Sequence, residues 1–104
     1  MQWKPYLLPA DEMSVTEAKA FLAERKEGDY TLLDVRQPAE YEESHIPGGL
    51  LIPLPELLDQ LSDLDPEKTT VVYCRSGNRS RMAAQVLSGQ GFTNVYNLSG
   101  GIQA

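Results

Sequence analysis

Short apolar runs alternate along this chain with segments in which apolar residues recur every three or four positions. Such runs are typical of strands buried on both faces of a parallel sheet, and the second pattern is typical of amphipathic helices. The predicted strands are residues 31–35, 50–52, 70–73 and 95–98, and the predicted helices are residues 38–44, 55–64 and 80–90, with a further helix between Ser14 and Gly28. This alternation predicts an α/β fold with a parallel sheet and helices on both of its faces.

Local signals place the helix ends and the faces that the helices bury. Ser14 and Glu17 have the spacing of a capping box, and Gly28 is a suitable residue to end the helix that follows them. The helix at 55–64 is expected to bury a row of leucines, and the helix at 80–90 a stripe of apolar residues. The two sets are Leu57, Leu58, Leu61 and Leu64, and Met82, Ala83, Val86 and Leu87.

Length and composition indicate one small globular domain spanning residues 1–104. The 104 residues are 41% hydrophobic and 23% charged, which is ordinary for a soluble protein. No apolar stretch approaches the roughly 20 residues of a membrane helix, and the first residues lack the pattern of a signal peptide. We therefore expect a cytoplasmic protein with no membrane partner.

Charge is distributed unevenly along the chain. Lys and Arg number 9 against 15 Asp and Glu, for a net charge of −6. This balance argues against nucleic acid as a partner, because proteins that bind it need a basic footprint. From Val71 onward the only charged side chains are Arg75, Arg79 and Arg81. The only cysteine, Cys74, lies at the start of this cationic segment.

A single cysteine limits the chemistry that is open to the chain. It cannot form an intramolecular disulfide, and with His45 as the only histidine it cannot form a Cys-rich zinc site. We predict neither a metal nor a cofactor. Cys74 ends the predicted strand at 70–73, and the loop behind it leads into the helix at 80–90. Ligands of open α/β sheets bind at such strand-to-helix loops.

Four features of this loop favour an anion. Its backbone N–H groups can form an anion-binding nest, and the helix N-terminus adds a partial positive charge. Arg75 and Arg79 add full charges, and Gly77 permits a tight backbone path. The same features stabilise a thiolate, so Cys74 is predicted to be a nucleophile with a lowered pKa. The alternative is that Cys74 is a small buried hydrophobic residue at a strand end.

Four segments of the chain resemble motifs of one known family. The segment CRSGNRS at 74–80 is similar to the active-site loop of rhodanese domains, and LDVRQPAEY at 33–41 to their Asp-Val-Arg-x-x-x-Glu-[Phe/Tyr] motif. SHIPGG at 44–49 is similar to their Gly-His-Ile-Pro-Gly-Ala, and VYNLSGG at 95–101 to their closing motif. The segments follow one another in the family's order, so the chain is similar to the single-domain, rhodanese-like thiosulfate sulfurtransferases.

The resemblance implies a three-layer α/β/α domain around a five-stranded parallel sheet, and a ping-pong reaction. The Cys74 thiolate would take the outer sulfur of thiosulfate and release sulfite, and the persulfide would pass its sulfur to a thiol, a protein or, in an assay, cyanide. The rest of the loop would bind this small anionic donor. These substrate-binding residues are Arg75, Ser76, Gly77, Asn78, Arg79 and Ser80, with Asp34 and Arg36 in supporting positions.

Other functions are retained as alternatives. A persulfide carrier or interaction module serving a dedicated partner would use the same residues. A phosphatase or arsenate reductase is disfavoured, because the related phosphatases have Cys-x5-Arg. Here the loop is Cys74-x4-Arg79, with Ser80 in the place of their arginine. A catalytically silent regulatory domain is disfavoured by the presence of Cys74.

A few further residues have structural interpretations. Arg36 is expected to form a structural ion pair with Glu40, in competition with a role near the site. His45 is expected to shape the loop at 44–49 rather than to act as an acid or base. Arg81 is left open between the site and a solvated surface. Because chains of the family usually continue past the position of Ala104, a domain cut from a longer protein is an alternative to the single domain.

Overall fold

A parallel sheet of five strands runs through the computed structural model, which describes residues 10–103. The strands are β1 (Asp11–Met13), β2 (Tyr30–Asp34), β3 (Leu50–Leu51), β4 (Thr69–Tyr73) and β5 (Val95–Leu98), in the spatial order β1-β5-β4-β2-β3. The α-helices are α1 (Val15–Ala23), α2 (Pro38–Glu43) and α3 (Asn78–Gly89), and 3₁₀ helices cover Leu54–Glu56, Leu58–Asp63 and Gly101–Gln103. The α/β fold and the five parallel strands are therefore confirmed.

Strand β4 lies in the middle of the sheet and positions the site. It pairs in parallel with β2 and β5, and its successive side chains point to opposite faces. Val72 packs in an apolar cluster with α3, whereas Val71 and Tyr73 pack in a second cluster with α1. Helices thus cover both faces, which confirms the three layers. Cys74 follows β4 directly, at the carboxyl edge of this central strand.

The start of α1 has the predicted capping box. The Ser14 hydroxyl accepts a hydrogen bond from the Glu17 N–H at 3.0 Å, and the Glu17 carboxylate accepts one from the Ser14 N–H at 2.9 Å. Strand β1 precedes this cap and pairs with β5, although the apolar pattern did not predict it. Two of its three residues are exposed acids, Asp11 and Glu12, and only Met13 is buried, so the strand has no apolar run.

The predicted helix at 55–64 is wrong. The segment forms two short 3₁₀ helices, and Gln60 interrupts the second with a φ of −118°. Pro55 has no N–H to donate, and the backbone hydrogen bonds of the segment join residues that are three apart. The tighter turns bury Leu57 and Leu64 but leave Leu58 57% exposed.

Helix α3 buries part of the predicted stripe, since Ala83 and Leu87 are fully buried. Met82 is 45% exposed, so its predicted burial is wrong. The buried positions are Ser80, Ala83, Ala84 and Leu87, which recur at helical spacing on the face toward the sheet. A polar residue therefore occupies the first core position of the helix, beside Cys74. Within residues 10–103, no helix has the length and apolar character needed to cross a membrane.

Candidate active site

The loop between β4 and α3 wraps around the sulfur of Cys74. The cysteine is 1% exposed, and the Gly77 N–H donates a hydrogen bond to its Sγ at 3.1 Å. Gly77 is the N-cap of α3, so the sulfur lies at the N-terminus of a 12-residue helix, where the helix dipole favours negative charge. The predicted strand-to-helix placement of the cysteine is thus present in the structure.

Two glycines allow the close packing of this loop. Gly77 has a φ of +104°, which glycine adopts without strain, and a Cβ there would lie 3.2 Å from the backbone nitrogen of Gly100. Gly101 packs directly on the carbonyls of Cys74 and Arg75, where a Cβ would clash. The backbone N–H groups of Ile102 and Gln103 donate to these two carbonyls, at 2.9 Å to Cys74 and 3.1 Å to Arg75. The 3₁₀ helix Gly101–Gln103 therefore fixes the loop from behind.

The hydrogen bonds of the loop favour the ionised form of Cys74. Burial raises the pKa of the thiol, but hydrogen bonds from the Ser80 hydroxyl and from the backbone of Ser80, Gly77 and Ser76 lower it by more. The net pKa lies below its ordinary value, which increases the fraction of thiolate at neutral pH. Ser76 contributes through its backbone, and its side chain is exposed.

The predicted donor-binding arginines have different surroundings. Arg75 is exposed and lines an open cleft of about 430 Å³, together with Arg36, Glu40 and Gln103. Arg79 forms a two-pronged ion pair with Glu40 at 2.9 and 3.1 Å, which lowers the pKa of that carboxyl to about 2. Arg75 therefore presents its charge to the cleft, whereas part of the Arg79 charge is neutralised.

Arg36 forms a structural ion pair as predicted in kind, but the predicted partner, Glu40, is wrong. Arg36 instead pairs with Asp34, with donor–acceptor distances of 2.8 to 3.1 Å, and it donates to the Ser44 carbonyl at 2.6 Å. Asp34 is fully buried and Arg36 is 4% exposed. The side chains of Asp34 and Arg36 can face each other because the chain turns at the end of β2. Glu40 pairs with Arg79 instead.

The remaining predicted residues lie at the rim or outside the loop. Asn78 is exposed at the first turn of α3, and Arg81 is 3.5 Å from both the Asn78 side chain and the Glu12 carboxylate. His45 is exposed, stacks on the Tyr41 ring at 3.8 Å and contacts the Tyr41 carbonyl through Nδ1 at 2.9 Å. These contacts fit the structural interpretation of His45 in the loop at 44–49.

Ser80 was among the substrate-binding residues expected from the sequence, but the polar residues behind it, Asn97 and Glu12, were not. Ser80 donates a hydrogen bond to the side chain of Asn97, which is fully buried on β5 and also binds the Glu12 carboxylate. One signal was present in the sequence, because Asn97 is a polar residue inside the apolar run 95–98. A buried amide needs partners, so this position marks a polar cluster.

The structure thus places a buried thiol, with a pKa below its ordinary value, at the carboxyl edge of the central strand of a parallel sheet. Comparison with known proteins gives the family. The model of the Rhodanese-like domain matches residues 17–104, and the chain belongs to the rhodanese-like domain family. Its relatives include proteins named as thiosulfate sulfurtransferases.

Two relatives and one solved structure illustrate the similarity. The chain is 38% identical over 78 residues to the thiosulfate sulfurtransferase GlpE of Pseudomonas syringae, covering 75% of this chain and 74% of the relative. It is 42% identical over 72 residues to the putative sulfur carrier protein YrkF of Bacillus subtilis, covering 69% and 39%. The crystal structure of a rhodanese-like domain protein from Staphylococcus aureus superposes with a TM-score of 0.82 at 28% identity, covering 90% and 89%. The chain spans 26%, 57% and 39% of the lengths of three curated relatives that it matches.

Proposed function

We propose that this protein transfers the sulfane sulfur of thiosulfate to a thiophilic acceptor through a persulfide on Cys74. The observation that carries the proposal is the sulfur itself, which is buried, receives the Gly77 N–H at 3.1 Å, and has a pKa below its ordinary value. A thiolate needs no general base before it attacks. The name of the relative GlpE, a thiosulfate sulfurtransferase, supports the choice of donor.

The reaction balances in two displacements. In the first, the Cys74 thiolate attacks the outer sulfur of thiosulfate, a new S–S bond forms, and the old one breaks with its electron pair going to sulfite. In the second, an acceptor nucleophile attacks the outer sulfur of the persulfide, and the Cys74 thiolate leaves. The negative charge on the persulfide would be stabilised by the loop N–H groups that now favour the thiolate.

The cleft beside the loop offers an anionic donor the guanidinium of Arg75, although the carboxylates of Glu40 and Glu43 also line it. Arg75 is exposed there, and a guanidinium can bind two oxygens of a sulfonate-like group at once. Arg36 also lines the cleft, but its donors are occupied by Asp34 and the Ser44 carbonyl. We therefore assign the main binding of thiosulfate to Arg75 and to the backbone of the loop, with Arg79 contributing a partly neutralised charge.

A persulfide carrier is the second candidate. The relative named a putative sulfur carrier protein supports it, and such a carrier would use the same cysteine. A carrier would accept sulfur from a persulfidated protein and would use free thiosulfate poorly. A reducing compartment such as the cytoplasm suits either function, because Cys74 must remain a free thiol between cycles.

Thiocyanate formation from thiosulfate and cyanide tests the proposal. We expect turnover by the wild-type protein and none by Cys74→Ser. Arg75→Ala should raise the KM for thiosulfate about tenfold or more, the effect of losing one charge-assisted contact, with little change in melting temperature. Ser76→Ala is the matched control, since its side chain is also exposed in the loop. Wild-type protein that fails with thiosulfate but loads sulfur from a persulfidated protein would establish the carrier instead.

A further inference from the structure

Buried polar side chains form a continuous path from the sulfur to the first strand. Ser80 Oγ lies 3.4 Å from Cys74 Sγ and donates a hydrogen bond to Asn97 Oδ1. The Asn97 amide nitrogen donates to the two Glu12 carboxylate oxygens at 3.0 and 3.1 Å and to the Gly77 carbonyl at 3.2 Å. Ser80 and Asn97 are both fully buried, so their polar side-chain atoms depend on these protein partners.

The orientation of the Asn97 amide is fixed by its neighbours. A carboxylate and a carbonyl can only accept hydrogen bonds, so the NH₂ group must face Glu12 and Gly77. Ser99 donates to Glu12 at 2.7 Å and Arg81 approaches it at 3.5 Å, which keeps the carboxylate in place. The Asn97 oxygen must therefore face Ser80 as an acceptor.

The Ser80 hydroxyl has one proton and two neighbours that accept it. When Cys74 is a thiol, its S–H can donate to Ser80 Oγ while Ser80 donates to Asn97, and every group is satisfied. When Cys74 is a thiolate, the sulfur and the Asn97 oxygen compete for the same proton. If Ser80 turned to the sulfur, the buried Asn97 oxygen would be left without a donor, which is unfavourable.

We propose that Asn97 is a positioning residue that retains the Ser80 hydroxyl proton and so limits how far Ser80 can stabilise the Cys74 thiolate. In a persulfide the charge lies on the outer sulfur, so Sγ needs no donor and the bond between Ser80 and Asn97 stays intact. Asn97 thus favours the thiol and the persulfide over the thiolate. The assignment of the Ser80 proton concerns the enzyme without substrate and does not depend on the proposed function. Only the effect of Asn97 on the persulfide during sulfur transfer rests on that function.

A double-mutant cycle of Asn97→Ala and Ser80→Ala tests the proposal. The pKa of Cys74 would be read from the pH dependence of its alkylation by iodoacetamide. Asn97→Ala should lower this pKa by about one unit, which is about tenfold more thiolate at a pH below the pKa. Ser80→Ala alone should raise it only slightly, because Asn97 holds the Ser80 hydroxyl proton for most of the time. In the Asn97→Ala background, Ser80→Ala should raise the pKa back by about the same unit.

Charges around the pair do not complicate the cycle. They are Glu12 on β1, Asp34 and Arg36 at the end of β2, and Arg75, Arg79 and Arg81 in the loop and α3. None of them is substituted, and the loss of the Asn97 hydrogen bonds to Glu12 is present in both corners that carry Asn97→Ala, so it cancels from the coupling between Asn97 and Ser80. Asn94→Ala is the matched control, because Asn94 precedes the same strand but is exposed and binds Thr69. It should leave the pKa of Cys74 unchanged.

Two results would overturn the proposal. One is an unchanged pKa in Asn97→Ala, and the other is an equal rise caused by Ser80→Ala in both backgrounds. If Asn97→Ala does not fold, Ser80→Ala alone decides, since a rise of about one unit would mean that Ser80 already donates to the sulfur. No sulfur donor enters these measurements, so a protein that passes the cycle yet takes no sulfur from thiosulfate refutes only the proposed function.

Discussion

The ends of β2 and β4 are neighbours in the sheet, with Asp34 in register with Tyr73, but they use their polar groups in opposite ways. After β2, the donors of Arg36 are satisfied by Asp34 and the Ser44 carbonyl, and the pair is almost fully buried. After β4, backbone N–H groups converge on the sulfur of Cys74, and an exposed arginine follows it. A buried charge whose partners all belong to the protein fixes the local geometry of the chain. Hydrogen-bond donors grouped around a nucleophile instead form a site that can bind a ligand.

One ion pair joins the two regions. Glu40 belongs to α2, which follows β2, and its partner Arg79 lies in the first turn of α3, directly after the loop that follows β4. Both side chains are partly exposed, at 29% and 36%. The contact holds the loop of Cys74 against the neighbouring helix without being buried itself, so we expect its contribution to stability to be small.

Breaking the buried pair after β2 should have the largest effect on stability. Arg36→Met leaves Asp34 charged, buried and without its partner, which should cost about 3–5 kcal/mol of unfolding free energy. Arg25→Met is the control, because Arg25 is 42% exposed beside Glu24, and it should cost about 1 kcal/mol or less. The measurement is denaturant unfolding of both variants. Equal losses would contradict the structural role of the Arg36 pair.

A methyl group at Gly101 should disturb the β4 end more specifically. Gly101→Ala combines a φ of +63° with a clash against the carbonyls of Cys74 and Arg75, and should cost about 2 kcal/mol and lower the rate of sulfur transfer. Gly91→Ala has a comparable φ of +94° in open space, so it should show only the conformational strain and keep its activity. A loss of activity in Gly91→Ala equal to that in Gly101→Ala would be evidence against the loop-fixing role.

Removing the charge of Glu40, which connects the two regions, should have the smallest effect on stability. Glu40→Gln should cost about 1 kcal/mol or less near neutral pH. Because the pKa of Glu40 is lowered from 4.5 to about 2, the folded state prefers the carboxylate. Its stabilising contribution is therefore present above pH 4.5 and is lost as the pH falls through about 2. The difference in unfolding free energy between wild type and Glu40→Gln should shrink across that interval, and a difference that stays constant would exclude the ion pair as its source.

The sequence was sufficient for the features that depend on local pattern. The strands at 31–35, 70–73 and 95–98 lie within one or two residues of their predicted ends, because each is a contiguous apolar run. The placement of Cys74 between a strand and a helix followed from the same pattern. The prediction of an α-helix at 55–64 was wrong because a row of leucines fits both an α-helix and a pair of 3₁₀ turns.

Features that depend on long-range pairing could not be read from the sequence. Arg79 lies 39 positions from Glu40, and Asn97 lies 85 positions from Glu12. Nothing local indicates which residue each of them pairs with, because it is the strand order that places β1 beside β5 and α2 beside the loop. The support behind the sulfur is therefore a product of topology, although a polar residue in the run 95–98 marks where it begins.

Intact-mass measurement after incubation with thiosulfate tests most directly that the β4 end is a reaction site. The account predicts a mass increase of one sulfur on the wild-type protein, its removal by cyanide, and no increase on Cys74→Ser. Arg36→Met, measured under conditions in which it is folded, should still gain the sulfur, because the β2 end serves structure. A wild-type protein that gains no sulfur, or a Cys74→Ser variant that gains one, would contradict the account.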